Sequence, residues 1–116
     1  MGGVSVETRS VVIQRAGHRC EKCLGSLADG MSVHHRRPRG MGGTKIPAIN
    51  SAENLLALCG SGTTGCHGWV ESNREDAYSR GLLVRSGRMS HTTPYRDDRG
   101  DWWLLVGSTK HRIDMP

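Results

Sequence analysis

The chain of 116 residues has no Phe, and aromatic residues make up only 4% of it against 35% apolar residues overall. A chain of this length builds one domain. Its hydrophobic burial is thin against the entropy of ordering a backbone that also carries 16 glycines. A structural metal would close part of that gap, since zinc-finger peptides draw roughly 10 to 16 kcal/mol from their ion. There is no long hydrophobic run and no strongly amphipathic basic helix, which sets aside a membrane partner. No signal-peptide pattern follows Met1, and Val6 stands where a myristoylation signal wants Ser or Thr, so a cytoplasmic location is expected. Acidic residues are the scarcer sign: 11 against 16 basic ones leave a net charge of +5 and favour a polyanionic partner, nucleic acid first.

What is present in quantity is metal-ligating chemistry. Cys20 and Cys23 form one close pair, Cys59 and Cys66 another, and between them lie His34, His35 and Asn54, with His67 directly after the last cysteine. In a reducing compartment such pairs mean metal or redox chemistry more often than disulfides. Four thiolates suit tetrahedral Zn²⁺, and a site built only of protein ligands leaves no position open for substrate. Two disulfides or a thioredoxin-like pair are the alternatives; a redox CxxC opens a helix after a strand, whereas Cys20 follows a helical pattern. His18, His91 and His111 are expected at the surface.

The pattern of residues predicts a helix over about 5–16 stopped by Gly17. It also predicts a hairpin over 23–36 turning at Ala28-Asp29-Gly30, with 31–35 as its return strand. Residues 37–50 form a long loop of the kind that touches substrate. Leu55 to Leu58 make a buried apolar run, and a helix follows over 66–80, with His67 and Glu71 one turn apart on one face. Residues 82–85 and 102–106 are strand candidates.

Taken in order, Cys20-x2-Cys23, Val33-His34-His35, Glu53-Asn54-Leu55-Leu56, Leu58-Cys59 and Cys66-His67 resemble an HNH endonuclease with an embedded zinc ribbon, of the kind familiar from bacteriophages. The likeness runs from about Arg15 to Val84. It implies an α+β fold and a ββα-metal (His-Me finger) core with a four-cysteine zinc-ribbon-like site; beyond the likeness, the strand candidates and turn signals add a C-terminal β-hairpin within a strand extension over 85–116. By match to the family pattern, His34 and His67 would hold a catalytic divalent ion, His35 would be the general base, and Asn54 would orient His35 through the intervening loop. Many such proteins carry a second His where this chain has Glu71; at i, i+4 from His67 the carboxylate still points toward the ion and would tilt the site toward Mg²⁺ or Mn²⁺, the alternative being a solvated helix residue with water in that position. The implied activity is hydrolysis of DNA phosphodiester bonds with low sequence specificity and no small-molecule cofactor. A noncatalytic DNA-binding module and an accessory subunit of a phage terminase are the rival readings. Arg36, Arg37, Arg39 and Lys45 follow the expected base and are candidates for phosphate contacts; four such contacts would give a log K against log salt slope of about −3.6.

Overall fold

In the computed structural model, which describes residues 3–37 and 47–114, the first helix (α1, Val6–Arg15) begins where Ser5 caps it. The Ser5 hydroxyl accepts the Thr8 backbone N–H at 3.1 Å, satisfying one of the donors that a helix start leaves free. The helix ends at Gly17 and His18, both with positive φ, and the chain turns into Cys20. Only Val12 and Arg15 of this helix are buried.

Strand β1 (Met31–His35) pairs antiparallel with β2 (Leu55–Cys59), in a register that sets His34 opposite Leu56 and His35 opposite Leu55. The expected hairpin over 23–36 is therefore corrected: 31–35 is a strand, but its partner lies some twenty residues on, not just before it. Residues 20–26 close a tight turn instead. The Cys20 N–H donates to the Gly25 carbonyl, the Leu24 N–H to that of Cys20, and Arg19 meets Ser26 in an isolated bridge.

Leu55, Leu56, Ala57 and Leu58 are all buried, so β2 is covered on both faces. Leu56 and Leu58 join Val70, Ala77, Leu82, Leu83, Tyr95 and Leu105 in one cluster; Leu55 and Ala57 meet Val12 in the other. Leucine, not phenylalanine, fills this core. The edge of β2 away from β1 is occupied by Glu21, whose backbone N–H donates to the Ala57 carbonyl while its Oε1 accepts the Ala57 N–H. Arg15 neutralises Glu21 at 2.9 Å and also donates to the Ala52 and Leu55 carbonyls, so this buried charge is paired and hydrogen-bonded.

The single helix expected over 66–80 is two, α2 (Gly65–Ser72) and α3 (Arg74–Ser79). Asn73 breaks it with φ −130 and ψ 55, its side-chain amide donating to the Trp69 carbonyl. Leu82 to Val84 are buried but lie in no sheet; the Val84 N–H donates to the Arg36 carbonyl just beyond β1. The C-terminal part is a three-stranded antiparallel sheet of β3 (Tyr95–Arg96), β4 (Trp102–Val106) and β5 (Thr109–Ile113). The fold is thus α+β with two antiparallel sheets. Among the described residues no helix is long and apolar enough to cross a membrane.

Arg36 corrects another expectation. It is 0% exposed and donates to the carbonyls of Gly81, Glu53, Ser90 and Thr93, tying the exit of β1 to the chain before β2 and to the 81–93 segment. Burial lowers its pKa to about 10, which leaves it charged at neutral pH. A guanidinium so enclosed is not a phosphate contact. Arg36→Ala strands four carbonyls and is expected to cost at least about 3 kcal/mol in urea unfolding. A loss of under about 1 kcal/mol would contradict this structural role.

Candidate metal centres

The four cysteine sulfurs lie within 4.8 Å of one another, delivered by the 20–23 turn, the end of β2 and the start of α2. Four sulfurs around one zinc at about 2.3 Å would stand about 3.8 Å apart along each edge of the tetrahedron. Cys23 and Cys59 are 3.9 Å apart, far beyond the roughly 2.05 Å of a disulfide. One cluster rather than two pairs is the arrangement a single tetrahedral ion needs. Backbone N–H groups of Cys23, Gly25 and Cys66 point at the sulfurs of Cys20, Cys23 and Cys59, each at 3.4 Å. Such donors favour thiolate over thiol.

The Cys59 to Cys66 loop closes on itself so tightly that a Cβ on Gly60 would stand 2.1 Å from the Thr64 carbonyl oxygen, and Gly60 and Gly65 both have positive φ. A hydrogen bond with the Cys66 thiol lowers the Cys20 pKa to about 4, and the same contact, with burial, pushes the Cys66 thiol up. A bound cation would favour the thiolate form of both. The four cysteines are thus compatible with a structural metal such as zinc.

A second cluster brings donor atoms of His34, His67 and Glu71 within 4.8 Å of one another. His34 comes from β1, and its Nε2 lies 2.8 Å from the Leu82 carbonyl oxygen, which can only accept, so the proton sits on Nε2 and Nδ1 keeps its lone pair. The two imidazole rings meet edge to face with centroids 5.2 Å apart. His67 Nδ1 is buried with no hydrogen-bond partner, the one such side-chain atom among the described residues. An orphaned buried nitrogen next to a second free imidazole nitrogen is what an ion would satisfy. Burial lowers the His34 pKa to about 4 and also lowers that of His67, against an opposing pull from Glu71. Both rings are therefore neutral near pH 7, the form that binds metal. Glu71 is exposed and also pairs with Arg74 at 3.1 Å, so its carboxylate is shared.

The other expected residues fall into different places. His35 is half-buried, and its Nε2 lies 2.8 Å from Asn50 Oδ1. Asn54 is 2% exposed and uses both ends of its amide on the chain around it. Its Oδ1 accepts from the Arg37 N–H and the Ser90 hydroxyl, and its Nδ2 donates to the Arg37 and Ile49 carbonyls. It clamps the residues after His35 to those before β2. Arg37 lines a half-open cavity of about 460 Å³ with Ile49, Glu53, Asn54, Met89 and His91. Arg39 and Lys45 lie outside the described residues. Asn50, Ser90 and the Leu82 carbonyl were not singled out by the sequence; a lone Asn, a lone Ser and a backbone oxygen carry no pattern.

No protein-family model, curated protein or solved structure matches this chain, so both centres are defined by their own donor atoms. The depressed His34 pKa has a stability consequence. The unfolded ring protonates near its ordinary 6.5 and the folded ring only near 4, so between those values unfolding takes up a proton. The associated stability is complete above about pH 6.5 and is lost as pH falls toward 4, up to roughly 3 kcal/mol. Urea midpoints of the zinc-loaded protein should decline more steeply over that window than those of His34→Asn. Equal slopes would contradict a neutral, buried His34.

Proposed function

We propose that this chain is a metal-dependent DNA endonuclease of the HNH type, with β1, β2 and α2 as its ββα-metal core and the four-cysteine cluster as its structural zinc site. The observation that carries the reading is the convergence of His34, His67 and Glu71 donors within 4.8 Å, next in sequence to a His35 that ligates nothing in that cluster. When bound there, a divalent ion such as Mg²⁺ or Mn²⁺ would offset negative charge on the scissile phosphate and the leaving oxygen.

The remaining work belongs to the chain. His34 and His67 offer neutral nitrogen donors from two different elements, fixing their relative position without charge. Glu71 adds one carboxylate, the harder ligand. His35 accepts the proton of the attacking water as its oxygen bonds to phosphorus; the bond to the 3′ oxygen breaks, leaving 5′-phosphate and 3′-hydroxyl ends once the leaving oxygen is protonated. Asn54 holds the backbone of Arg37, so the exit of β1 keeps its course. With Arg36 buried, phosphate contacts fall to Arg37 together with Arg39 and Lys45. The net charge of +5 suits a polyanion.

Purified protein is expected to nick supercoiled plasmid in Mg²⁺ or Mn²⁺, with His35→Ala slower by about 10² to 10⁴ while its fold and zinc content stay intact. Wild-type cleavage by His35→Ala would sink the proposal, and binding without turnover across several divalent ions would favour a noncatalytic DNA-binding module. With three phosphate contacts instead of four, the slope of log K against log salt on duplex DNA should be about −2.7. A slope near zero would remove the phosphate backbone as the partner.

A further inference from the structure

We propose that Asn50 is the positioning residue of His35, holding the imidazole so that Nδ1, not Nε2, faces the attacking water. This rests on His35 being the base proposed above. Asn50 ends the 3-10 turn Pro47–Asn50, which is closed by the Ser51 N–H and hydroxyl donating to the Ala48 carbonyl. From there its carboxamide meets the His35 ring, with Oδ1 2.8 Å from Nε2.

Which end of the amide faces the ring decides the chemistry. The Asn50 Nδ2 donates to the Gly3 carbonyl at 3.4 Å, and a carbonyl oxygen cannot pair with the amide oxygen. The nitrogen therefore faces Gly3 and the oxygen faces His35. An amide oxygen only accepts, so Nε2 must carry the hydrogen, and in the neutral ring the lone pair is on Nδ1. The opposite tautomer would set two lone pairs against each other at 2.8 Å.

The two asparagines have separate tasks. Asn54 acts on backbone, holding Arg37 and Ile49, the residue just before Asn50. Asn50 acts on the ring itself. As water's oxygen bonds to phosphorus, its proton passes to Nδ1 and the ring becomes an imidazolium whose Nε2–H still donates to Oδ1. The carboxamide thus orients the neutral ring and steadies the charged one.

Ring ¹⁵N spectra of full-length, zinc-loaded, histidine-labelled protein at about pH 8 test this, with the His35 signals identified by their loss in His35→Gln. Wild type should show the Nε2–H tautomer. Asn50→Ala should mix the tautomers and lower kcat on plasmid at least about tenfold with KM unchanged. Asn50→Asp keeps an oxygen acceptor and should restore the tautomer and most of the rate. If Asn50→Ala loses its zinc, Asn50→Ser takes its place in the comparison. An Nδ1–H tautomer in wild type, or a tautomer and kcat both unmoved by Asn50→Ala, would overturn the assignment. A tautomer shift in Asn50→Ala with no cleavage by wild type in any divalent ion would overturn the nuclease role and leave the ring contact standing.

Discussion

The strand Leu55–Cys59 is buried from Leu55 to Leu58, paired with β1 along one edge and held at Ala57 on the other by the backbone and carboxylate of Glu21. That constraint sets where both donor clusters form. Its C-terminal end delivers Cys59 beside the turn that holds Cys20 and Cys23, because the Glu21 bonds to Ala57 draw that turn against the strand. Its register places His34 opposite Leu56, where the ring can meet α2. The Arg15 to Glu21 pair at 2.9 Å, backed by Lys110 at 3.5 Å, is the electrostatic support of this arrangement, since a buried carboxylate needs a compensating charge.

From that frame the two clusters diverge in character. The cysteines close around one point using protein ligands alone, with backbone N–H groups turned toward three of the sulfurs. The histidine cluster is less complete: two neutral nitrogens and one exposed carboxylate shared with Arg74 leave room for further ligands. Cys66 and His67 are consecutive, so the start of α2 serves both clusters and couples their positions. Loosening the sulfur cluster would also loosen the helix that presents His67 and Glu71.

The clustered donor residues were legible from sequence because their spacing is local: two cysteines three apart, a His directly after the fourth cysteine, and a Glu one helical turn beyond it. Helix α1 and strand β4 were legible through equally local signals, a glycine stop and a run of apolar residues. The partner of β1 was not, because pairing over some twenty residues leaves no local trace and Ala28-Asp29-Gly30 offers a plausible turn nearby. Asn73 ends α2 through a local amide bond to Trp69 that any helical periodicity conceals. Arg36 read as a phosphate contact because its burial is made by four carbonyls that lie 17 or more residues away in the chain. Asn50 was invisible because its importance depends wholly on what its side chain meets.

Two ion sites with different tasks are the centre of this account, and metal content before and after mild chelation tests that claim most directly. The account predicts one zinc per chain that survives chelation, and a second divalent ion that is removed and rebinds on addition of Mn²⁺. Binding of that second ion should be lost in a His34→Ala, His67→Ala double variant that keeps its zinc. A protein that binds a single ion in all, or a second ion indifferent to those two histidines, would contradict it.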